Sequence, residues 1–398
     1  MLKRGFIVPS ISPMTSGVVC VVKADKSIRL TCDYRYLNKY TVADCQPMPN
    51  LRDSVFRVAQ SKYISLCDAK SGFWQLNVRK QDRWLTSFVT HHGQWEWVRM
   101  PFGLRCSSNS FVRAVQVILQ PIRGFCESYV DDMAILSGRF RQHATEHLRS
   151  FLNAIKCSGL TLNMTKCRWA QTEIVYVGHL VGGGRHGPDP SKLKAIANLK
   201  IPETKKQLRQ VLGILGYYRS YINNYAVVAK VLTDATAKSK PNIVQWSELH
   251  QTAFDELKHR VCSAPVLATP RFGEPFILYT DASMMAVGCC LSQLDELGAE
   301  HPVAYASQKL SSSQSAWSTI EREAYAVVWA LGKYRDIIFG CHITVFSDHD
   351  PLKYLTENVP SSAKLTRWAL ALQEYNFSLK YYKGQLNVLA DGLSRLDS

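Results

Sequence analysis

Short β-prone runs alternate with turn residues over the first part of the chain. "GVVCVVKADKSIRLTC" carries two apolar, β-branched runs on either side of the polar stretch "KADKS", which predicts two strands joined by a turn. "KYISLCDAKSGFWQL" is another β-rich run; it carries Asp68 and is broken at Ser71 and Gly72. The chain is therefore predicted to begin with short strands and their connections.

Hydrophobic residues at helical spacing follow these strands. In "NSFVRAVQVIL" one face of the predicted helix collects four apolar side chains, Phe111, Val115, Ile118 and Leu119. "ATEHLRSFLNAIKCSGLTLN" predicts a second amphipathic helix, which ends at Gly159. "IVYVGHLVGGGRHGPDP" then predicts a strand that ends in a glycine-rich turn.

The pattern is mainly helical from Ser191 to about Ala264, where "TKKQLRQVLGILGYYRSYI" and "SELHQTAFDELKHRV" are the clearest amphipathic segments. Three prolines then bracket a loop that we interpret as a domain boundary: Pro265, Pro270 and Pro275. Beyond it come a β-rich run ("FILYTDASMMAVGCCLSQ"), a helix ("TIEREAYAVVWALGKYRD"), a strand and turn ("HITVFSDHDPL") and a closing helix ("NVLADGLSRL").

Together these patterns predict a multi-domain α+β protein. The chain has 398 residues, enough for two to four domains. We predict three segments: residues 1–190, residues 191–269 and residues 270–398. The mixed order of strands and helices in the last segment is typical of an α+β or α/β domain.

Composition and charge narrow the class of protein. With 46% hydrophobic and 11% aromatic residues, the chain is globular and not disordered. Its net charge of +16 predicts a polyanionic partner, with nucleic acid first and an anionic membrane surface second. No run approaches the roughly 18 apolar residues of a membrane span, and "MLKRGFIVPSISP" lacks the apolar core of a signal peptide. We therefore expect a soluble, intracellular protein that is not secreted.

The cysteines and histidines do not predict a metal scaffold. The twelve cysteines have no C-x-x-C spacing, which favours reduced thiols over disulfides or a zinc ribbon. His143 and His147 are four residues apart on a predicted helix. No Cys pair or acidic residue stands at ligand spacing beside them, so we predict a solvated helix face there.

Two adjacent aspartates, Asp131 and Asp132, lie between apolar runs in "ESYVDDMAIL". This pattern predicts a β-hairpin with acidic residues at its bend. Taken alone, the pair is either a solvated turn or a pair of metal ligands, and the solvated turn is the commoner case.

A metal interpretation needs further ligands and phosphate contacts. Two divalent cations about 4 Å apart promote phosphoryl transfer, and Mg²⁺ prefers oxygen ligands. Asp68 on a strand, facing the hairpin, would complete such a set, and the "AKSG" turn after it offers backbone N–H groups to phosphate oxygens. Lys23 and Arg29 are candidate triphosphate contacts, and Phe73 a ring beneath a sugar. Taken singly, each residue has a commoner explanation. Asp68 would be a strand-end cap, Phe73 a core aromatic residue, and Lys23 and Arg29 solvated charges.

Four more acids form a second candidate set beyond the proline-rich boundary: Asp281, Glu323, Asp348 and Asp391. A four-carboxylate cluster can hold two Mg²⁺ ions and direct water at a phosphodiester, which is a nuclease arrangement. The ordinary alternatives are strand-end caps and exposed helix acids.

The order and spacing of several sequence blocks are a more specific signal than any single motif. "GVVCVVK", "RLTCDYRYLNKYTVADCQPMPNL", "LCDAKSGFWQL", "RMPFGL", "YVDD" and "GLTLNMTKCRWAQTEIVYVGHLV" follow one another across nearly 200 residues. In this order and spacing they resemble the reverse transcriptase of gypsy-type LTR retrotransposons. "YTDAS", "STIEREAYAVVWAL", "FSDHDPL" and "NVLADGLSR" likewise resemble the RNase H domain of the same elements.

The resemblance implies a right-hand polymerase followed by an RNase H-like α/β domain. Residues 1–190 would form fingers and palm, residues 191–269 the thumb and connection, and residues 270–398 the RNase H-like domain. "VYVGHLV" falls where the family grips the primer. The basic residues of the middle segment suit contacts to a nucleic-acid backbone; they are Lys205, Lys206, Arg209 and Arg219.

The resemblance also implies roles for individual side chains. Catalytic and metal-binding roles fall on seven carboxylates: Asp68, Asp131 and Asp132 in the polymerase, and Asp281, Glu323, Asp348 and Asp391 in the RNase H-like domain. Nucleotide binding falls on Lys23, Arg29 and Phe73. Glu323 is implied as the catalytic glutamate because it precedes "AYAVV", whereas Glu321 is predicted to be solvated.

The implied function is RNA- and DNA-directed DNA synthesis with degradation of the RNA strand of the hybrid. Each site would use two Mg²⁺ ions, for which Mn²⁺ can substitute. The implied partners are an RNA template, a DNA primer, an RNA–DNA hybrid and dNTPs. The implied location is the cytoplasm, including virus-like particles, or the nucleus.

A different class of function stays open, namely a catalytically dead or co-opted relic that binds nucleic acid without turnover. The chain starts inside the finger segment of the family, so we expect a processed piece of a polyprotein, a broken copy or a truncated gene model. All seven carboxylates are present, and a decaying copy would lose some at random, which favours an enzyme. A membrane-binding role would need a dominant basic amphipathic helix, and the sequence predicts none.

Overall fold

The computed structural model of the chain describes residues 1–22, 28–347 and 363–381, and it gives the backbone but not the side chain of Arg29. Helices and strands are mixed throughout these ranges, as the predicted α+β class requires. In the same ranges, none of the helices has the length and apolar character that crossing a bilayer demands.

The chain divides into two compact units. The first contains residues 1–177 with 181–183, and the second contains residues 178–180 with 184–398. The predicted first segment ends close to this division. The two remaining predicted segments both lie in the second unit.

A four-stranded antiparallel sheet of order β7-β8-β4-β9 is the centre of the first unit. The strands described in this unit are β1 (Ile7–Pro9), β2 (Val18–Val22), β3 (Ile28–Cys32), β4 (Tyr63–Asp68), β5 (Phe88–Thr90), β6 (Gly93–Trp97), β7 (Cys126–Tyr129), β8 (Asp132–Ser137), β9 (Arg168–Gln171) and β10 (Ile174–Tyr176). Its described α-helices are α1 (Arg35–Tyr40), α2 (Leu51–Ala59), α3 (Ser107–Leu119), α4 (Phe140–Gln142) and α5 (Leu148–Ser158). Two smaller antiparallel sheets have the orders β1-β6-β5 and β2-β3.

Side chains alternate between the two faces of the central sheet, since successive strand residues point to opposite sides. One face packs against α3 and α5 through a cluster that includes Cys67, Met133, Ile135, Phe111 and Phe151. The other face packs against α2 through Ile64, Ala134, Leu136, Val55 and Val58. Because both faces are covered, a slip of one residue in the pairing would exchange the two sets and is strongly disfavoured.

Most of the predicted local structure of the first unit is confirmed. Strands β2 and β3 pair as an antiparallel hairpin, whose "KADKS" turn lies outside the described residues. In α3 the predicted apolar face is buried at Phe111, Val115 and Leu119. Helix α5 ends at Gly159, whose φ of 74° is the left-handed conformation that favours glycine at a helix end.

The prediction of one strand ending in a glycine-rich turn was wrong for "IVYVGHLVGGGRHGPDP". Three short strands occupy this stretch: β10, then β11 (His179–Gly182) and β12 (Arg185–Pro188). Val177 and Gly178 both have positive φ, at 45° and 79°, and so break the chain direction after β10. Gly183 and Gly184, with φ of 59° and 76°, make the second turn.

The prediction of a solvated helix face at His143 and His147 was also wrong. A π-helical turn at His143–His147 directs both rings toward the central sheet. His143 is fully buried, with Nε2 2.7 Å from Oγ of Ser65 on β4 and Nδ1 2.8 Å from Oγ of Ser137 on β8. The ring of His147 stacks on Phe125 at a centroid distance of 3.9 Å. Helical periodicity alone could not show this, because the π-helical turn changes which side chains face inward.

The second unit begins with helices and continues as a mixed sheet. Its described helices are α6 (Pro190–Ala197), α7 (Lys205–Tyr217), α8 (Tyr225–Val228), α9 (Lys230–Ala235), α10 (Glu248–Cys262), α11 (Ser312–Ser315), α12 (Thr319–Lys333), α13 (Arg335–Ile338) and α14 (Ala363–Leu372). Its further described strands are β13 (Leu267–Ala268), β14 (Phe276–Ala282), β15 (Ala286–Leu294), β16 (Glu300–Lys309), β17 (His342–Ser347) and β18 (Asn376–Tyr381). The closing helix predicted from "NVLADGLSRL" lies outside the described residues.

The helical segment and the sheet of the second unit share one hydrophobic core. The sheet has the order β16-β15-β14-β17-β18, with β14, β15 and β16 antiparallel and β17 and β18 parallel to β14. Tyr305 on β16 is buried in the same cluster as Leu208 and Leu215 of α7 and Phe254 and Leu257 of α10. This shared core explains why the predicted middle and last segments lie in a single compact unit.

Two buried histidines of the second unit share one hydroxyl group. Nδ1 of His179 and Nδ1 of His186 each lie 2.9 Å from Oη of Tyr221. Burial lowers the pKa of His179 to about 4, and burial together with the neighbouring His179 lowers the pKa of His186 to about 4. Both rings are therefore neutral in the folded protein at neutral pH.

These two histidines predict a loss of stability in mild acid. An unfolded histidine has a pKa near 6.5, so between that pH and about 4 the unfolded chain binds more protons than the folded one. The stabilisation is complete above about pH 6.5 and decreases as the pH falls, by up to about 2 kcal/mol per histidine at pH 5. Thermal unfolding at pH 7.5 and at pH 5 measures this change. The substitution His186→Gln should reduce the difference between the two pH values, whereas His92→Gln, at an exposed position, should leave it unchanged.

Candidate active sites

Asp68 and Asp132 lie opposite each other on two neighbouring strands of the central sheet in the first unit. Strands β4 and β8 are antiparallel, and their register pairs Asp68 with Asp132 at one end. Directly opposed residues of such a pair have Cβ atoms roughly 5 Å apart and point to the same face. The long-range pairing that the sequence suggested between strand and hairpin is therefore present.

The hairpin turn presents the third aspartate, Asp131, to solvent. Only Val130 and Asp131 separate β7 from β8, and Val130 has a φ of 56°. A β-branched residue rarely adopts this left-handed conformation, and such strain persists where surrounding contacts enforce it. Here Val130 packs against the α3–α5 side of the core, and the carbonyl oxygen of Asp131 accepts a hydrogen bond from Ala69 N at 3.3 Å. The turn is thereby held beside the end of β4.

Lys166 is a site residue that sequence reasoning missed. Its Nζ lies 3.3 Å from Oδ2 and 3.4 Å from Oδ1 of Asp68. The pairing of β9 with β4, which sets Arg168 opposite Leu66, brings the preceding residues alongside Asp68. The block "TLNMTKC" contains the lysine, but only the register of two strands about 100 residues apart reveals its partner.

The charges at this site are coupled. Burial raises the pKa of Asp132 to about 6, repulsion from Asp131 and Asp68 adds to the rise, and the Lys166 ammonium opposes it. Three carboxylates provide only oxygen donors, the ligand type that Mg²⁺ prefers. Within the described ranges, however, no three His, Cys, Asp or Glu side chains converge closely enough to hold a metal ion. The donor set thus fits a hard divalent cation in its chemistry, while Asp68 is turned toward Lys166.

Phe73 lies after the turn that follows β4. Its ring packs against Phe102 and Phe111 at centroid distances of 5.1 Å and 5.7 Å. Gly72 is required beside it, because a Cβ at position 72 would come within 2.9 Å of the Phe111 ring. The aromatic contacts hold the half-buried Phe73 ring in one place, with part of it still accessible.

The prediction that the "AKSG" turn offers its amides to phosphate was wrong for two of the four. The amide of Ala69 donates to Asp131 O, and the amide of Lys70 donates to Thr161 O at 2.9 Å. These amides hold the turn against its neighbours. Lys23 lies outside the described residues, and for Arg29 only the backbone, paired with Val21, is described.

The second candidate site is described in part. Asp281 lies on β14 and is exposed, whereas Glu323 lies in α12 and is only 3% exposed. Helix α12 packs against β14 and β15, so the two acids belong to neighbouring elements. Asp348 and Asp391 lie outside the described residues.

The prediction that Glu321 is solvated was wrong. Ser318 and Glu321 form a capping box at the start of α12, in which each accepts a hydrogen bond from the other's backbone amide. Glu321 also pairs with Lys364 of α14 at 2.8 Å, and this hydrogen bond is the main reason that its pKa is lowered. The Lys364 ammonium lies 4.2 Å from the ring centroid of Trp317, a cation–π distance. Glu321 is thus structural, and it fixes the helix that carries Glu323.

One basic residue predicted to contact a nucleic-acid backbone is engaged elsewhere. Lys205 is 7% exposed, and its Nζ donates to the carbonyl oxygens of Ala237, at 3.0 Å, and Lys240. Arg209 donates to Thr236 O at 2.8 Å but remains exposed. Lys206 and Arg219 are exposed. The prediction was therefore wrong for Lys205, since its ammonium group is buried against two backbone carbonyl groups.

Two family models match the chain. The family described as "Reverse transcriptase (RNA-dependent DNA polymerase)" matches residues 21–181, and "RNase H-like domain found in reverse transcriptase" matches residues 271–375. The first of these ranges contains Asp68, Asp131 and Asp132, and the second contains Asp281 and Glu323.

Similar curated proteins are polyproteins of transposons. The chain is 35% identical to "Retrovirus-related Pol polyprotein from transposon opus" of Drosophila melanogaster, over 100% of the chain and 41% of the relative. It is 33% identical to the corresponding polyprotein from transposon gypsy, over 99% of the chain and 39% of the relative. It is 29% identical to "Transposon Tf2-3 polyprotein" of Schizosaccharomyces pombe, over 99% of the chain and 30% of the relative. The chain thus spans between 30% and 41% of the length of these relatives.

Solved structures with the same fold come from foamy virus. A foamy viral protease-reverse transcriptase in complex with double-stranded DNA matches with a TM-score of 0.86 at 23% identity, covering 96% of this chain and 68% of that chain. The protein in complex with an RNA/DNA hybrid matches with a TM-score of 0.80 at 23% identity, covering 96% and 52%. This likeness confirms the predicted fold, a polymerase followed by an RNase H-like domain.

The coupled carboxylates predict a pH-dependent affinity for Mg²⁺. As the pH falls through about 6, Asp132 takes up a proton and becomes a poorer ligand, so the affinity should decrease between pH 7.5 and pH 5.5. Calorimetric titration with Mg²⁺ measures the decrease, and Asp132→Asn should remove the pH-dependent part. Lys166→Met should move the decrease to higher pH, because the ammonium lowers the pKa of Asp132. The control Asp53→Asn, at a side chain that is 56% exposed, should change nothing; an affinity independent of pH in the parent protein would contradict the assignment.

Proposed function

We propose that this chain is the reverse transcriptase and RNase H region of a gypsy-type retrotransposon Pol polyprotein, and that it copies RNA into DNA and degrades the RNA strand of the hybrid. The observation that carries the proposal is the pairing of Asp68 with Asp132 beside the exposed Asp131. The three carboxylates at one end of the sheet support a shared metal-binding role, and the partly accessible ring of Phe73 supports a contact to the nucleotide.

In the proposed polymerase site each residue has a distinct task. Asp68, Asp131 and Asp132 would hold divalent cations, which when bound activate the primer hydroxyl and offset charge on the triphosphate. Lys166 holds the Asp68 carboxylate in position through an ion pair at 3.3 Å. Lys23 and Arg29 are proposed to contact the triphosphate.

In the proposed nuclease site, Asp281, Glu323, Asp348 and Asp391 would hold the cations that direct water at the RNA strand. The burial of Glu323 within α12 and the capping of that helix by Glu321 support a fixed position for this ligand. We propose Mg²⁺ as the natural ion at both sites, with Mn²⁺ as a substitute.

The proposed partners are a template RNA, a DNA primer, their hybrid and dNTPs. The net charge of +16 supports a polyanionic partner, and the foamy viral proteins of the same fold were solved with double-stranded DNA and with an RNA/DNA hybrid. Contacts to phosphates release counterions, so binding should weaken steeply as salt concentration rises.

Primer extension on an RNA template with Mg²⁺ tests the two activities in one reaction. The substitution Asp131→Asn should reduce extension by on the order of 100-fold or more while RNA-strand degradation continues. Asp281→Asn should have the opposite effect, because the two carboxylate sets are separate. Asp53→Asn, the exposed control, should affect neither.

Other outcomes separate the alternatives. A parent protein that binds the hybrid in a salt-sensitive way, yet neither extends nor degrades, would be a nucleic-acid-binding relic. Activity that persists after all divalent ions are chelated would contradict the metal-dependent chemistry at either site.

Phe73 predicts selectivity for the sugar of the incoming nucleotide. Its ring is held by Phe102 and Phe111, so it can form a wall that excludes a 2′-hydroxyl. The substitution Phe73→Ala should raise incorporation of ribonucleotides relative to deoxyribonucleotides by about tenfold or more, measured as the ratio of the two kcat/KM values. Phe140→Ala, at a ring that is 55% exposed, is the matched control and should leave the ratio unchanged.

A further inference from the structure

A turn of the helical segment lies directly on the sheet that carries Asp281. We call residues 223–226 the docking turn; it precedes and begins α8. Asn224 is the residue before the helix and has a φ of 53° and a ψ of 30°. Asparagine adopts this left-handed conformation more readily than most residues, but the conformation is common only for glycine. The turn is therefore held in an unusual shape.

The sheet beneath the docking turn contains a transverse row of three residues. Register pairs Asp281 on β14 with Gly288 on β15, and Gly288 with Ser307 on β16. Residues paired in register across neighbouring strands point to the same face of a sheet and lie roughly 5 Å apart. The three positions thus form a line on one face that ends at Asp281.

The docking turn contacts two members of this row. The amide of Ala226 donates a hydrogen bond to Oγ of Ser307 at 2.8 Å. Oδ1 of Asn224 occupies the space where a side chain at position 288 would begin, so a Cβ there would overlap it. Glycine at 288 is therefore what allows Asn224 to approach the row, one strand away from Asp281.

The docking turn is itself fastened to the helical segment. The carbonyl oxygen of Asn223 accepts a hydrogen bond from Nη1 of Arg260 on α10 at 3.0 Å. The carbonyl oxygen of Asn224 accepts from the amide of Val227 at 3.0 Å, which closes the first turn of α8. A further ion pair joins Asp234 of α9 to Lys309 at the end of β16. The first two contacts fix the turn on the helical segment, and the ion pair resists movement of that segment relative to the sheet.

We propose that the docking turn positions Asp281 for RNA-strand cleavage, with Asn224 and Gly288 as its positioning residues. The inference rests on the proposed nuclease function of Asp281. By filling the space above Gly288, Asn224 fixes the height of β15 beneath it, and the Asp281–Gly288 pairing passes that constraint to the carboxylate. The helical segment is then part of the nuclease, although it contributes no ligand.

The substitution Gly288→Ala tests the contact, because its methyl group must displace Asn224 or β15. A displaced carboxylate should reduce kcat for RNA-strand cleavage by on the order of 10- to 100-fold, with KM for the hybrid unchanged. Primer extension in the same tube should be unaffected. Gly332→Ala is the matched control, since a Cβ at that position in α12 meets nothing within 4 Å.

The compensating change distinguishes positioning from general damage. Asn224→Gly suits the positive φ but leaves the space above Gly288 empty, so this variant alone should also lose cleavage. In the double variant Asn224→Gly, Gly288→Ala the new methyl group fills that space, so cleavage should recover to within about threefold of the parent protein. The thermal unfolding midpoints of the parent protein, the two single variants at positions 224 and 288 and the double variant should agree within a few degrees.

Three results would overturn the inference: full cleavage by Gly288→Ala, no recovery in the double variant, or a loss of cleavage matched by an equal loss of primer extension. Asp281→Asn serves as the reference. If Asp281→Asn still cleaves RNA, the proposed nuclease function itself has failed. If that variant is inactive while Gly288→Ala is fully active, only the positioning role has failed.

Discussion

The register between β4 and β8 is the constraint on which the first unit depends. Asp68 and Asp132 lie side by side, an arrangement of like charges that is unfavourable by itself. Burial raises the pKa of Asp132, and repulsion from Asp131 and Asp68 adds to the rise. The hydrophobic side chains on both faces of the sheet hold the strands in this register, since a slip of one residue would exchange the two sets between the faces and disrupt the packing of both. Burial of apolar surface thus supplies the free energy that keeps the carboxylates together, and Lys166 offsets part of their repulsion.

Local patterns predicted much of the fold and part of the first site. The hairpin at Asp131 and Asp132, the face of α3 and the end of α5 at Gly159 all follow from signals within about 15 residues of sequence. The role of Lys166 was not predicted because its partner is set by strand pairing across a long stretch of chain. The burial of His143 and Lys205 was not predicted for a related reason. Polar side chains are buried where carbonyl and hydroxyl groups elsewhere in the chain form hydrogen bonds with them.

The second unit shows a different limit of reasoning from sequence. The prolines between α10 and β14 resemble a domain boundary, yet the chain returns to a common core after them. Tyr305 on β16 and Phe254 on α10 lie in one cluster, and β13 within this proline-containing stretch pairs with β12. Proline marks a change in backbone direction, whereas a domain boundary requires separate cores.

Val130, in the turn of the Asp131–Asp132 hairpin, combines a strained backbone with a contact to the core. A β-branched residue in a left-handed conformation loses on the order of 1 kcal/mol or more relative to glycine, yet here it also contributes apolar contact to the core. Replacement by glycine would relax the backbone and remove that contact, so the net effect on folding is small while the rigidity of the turn is lost. At position 130, therefore, a rigid turn and an unstrained backbone require different amino acids.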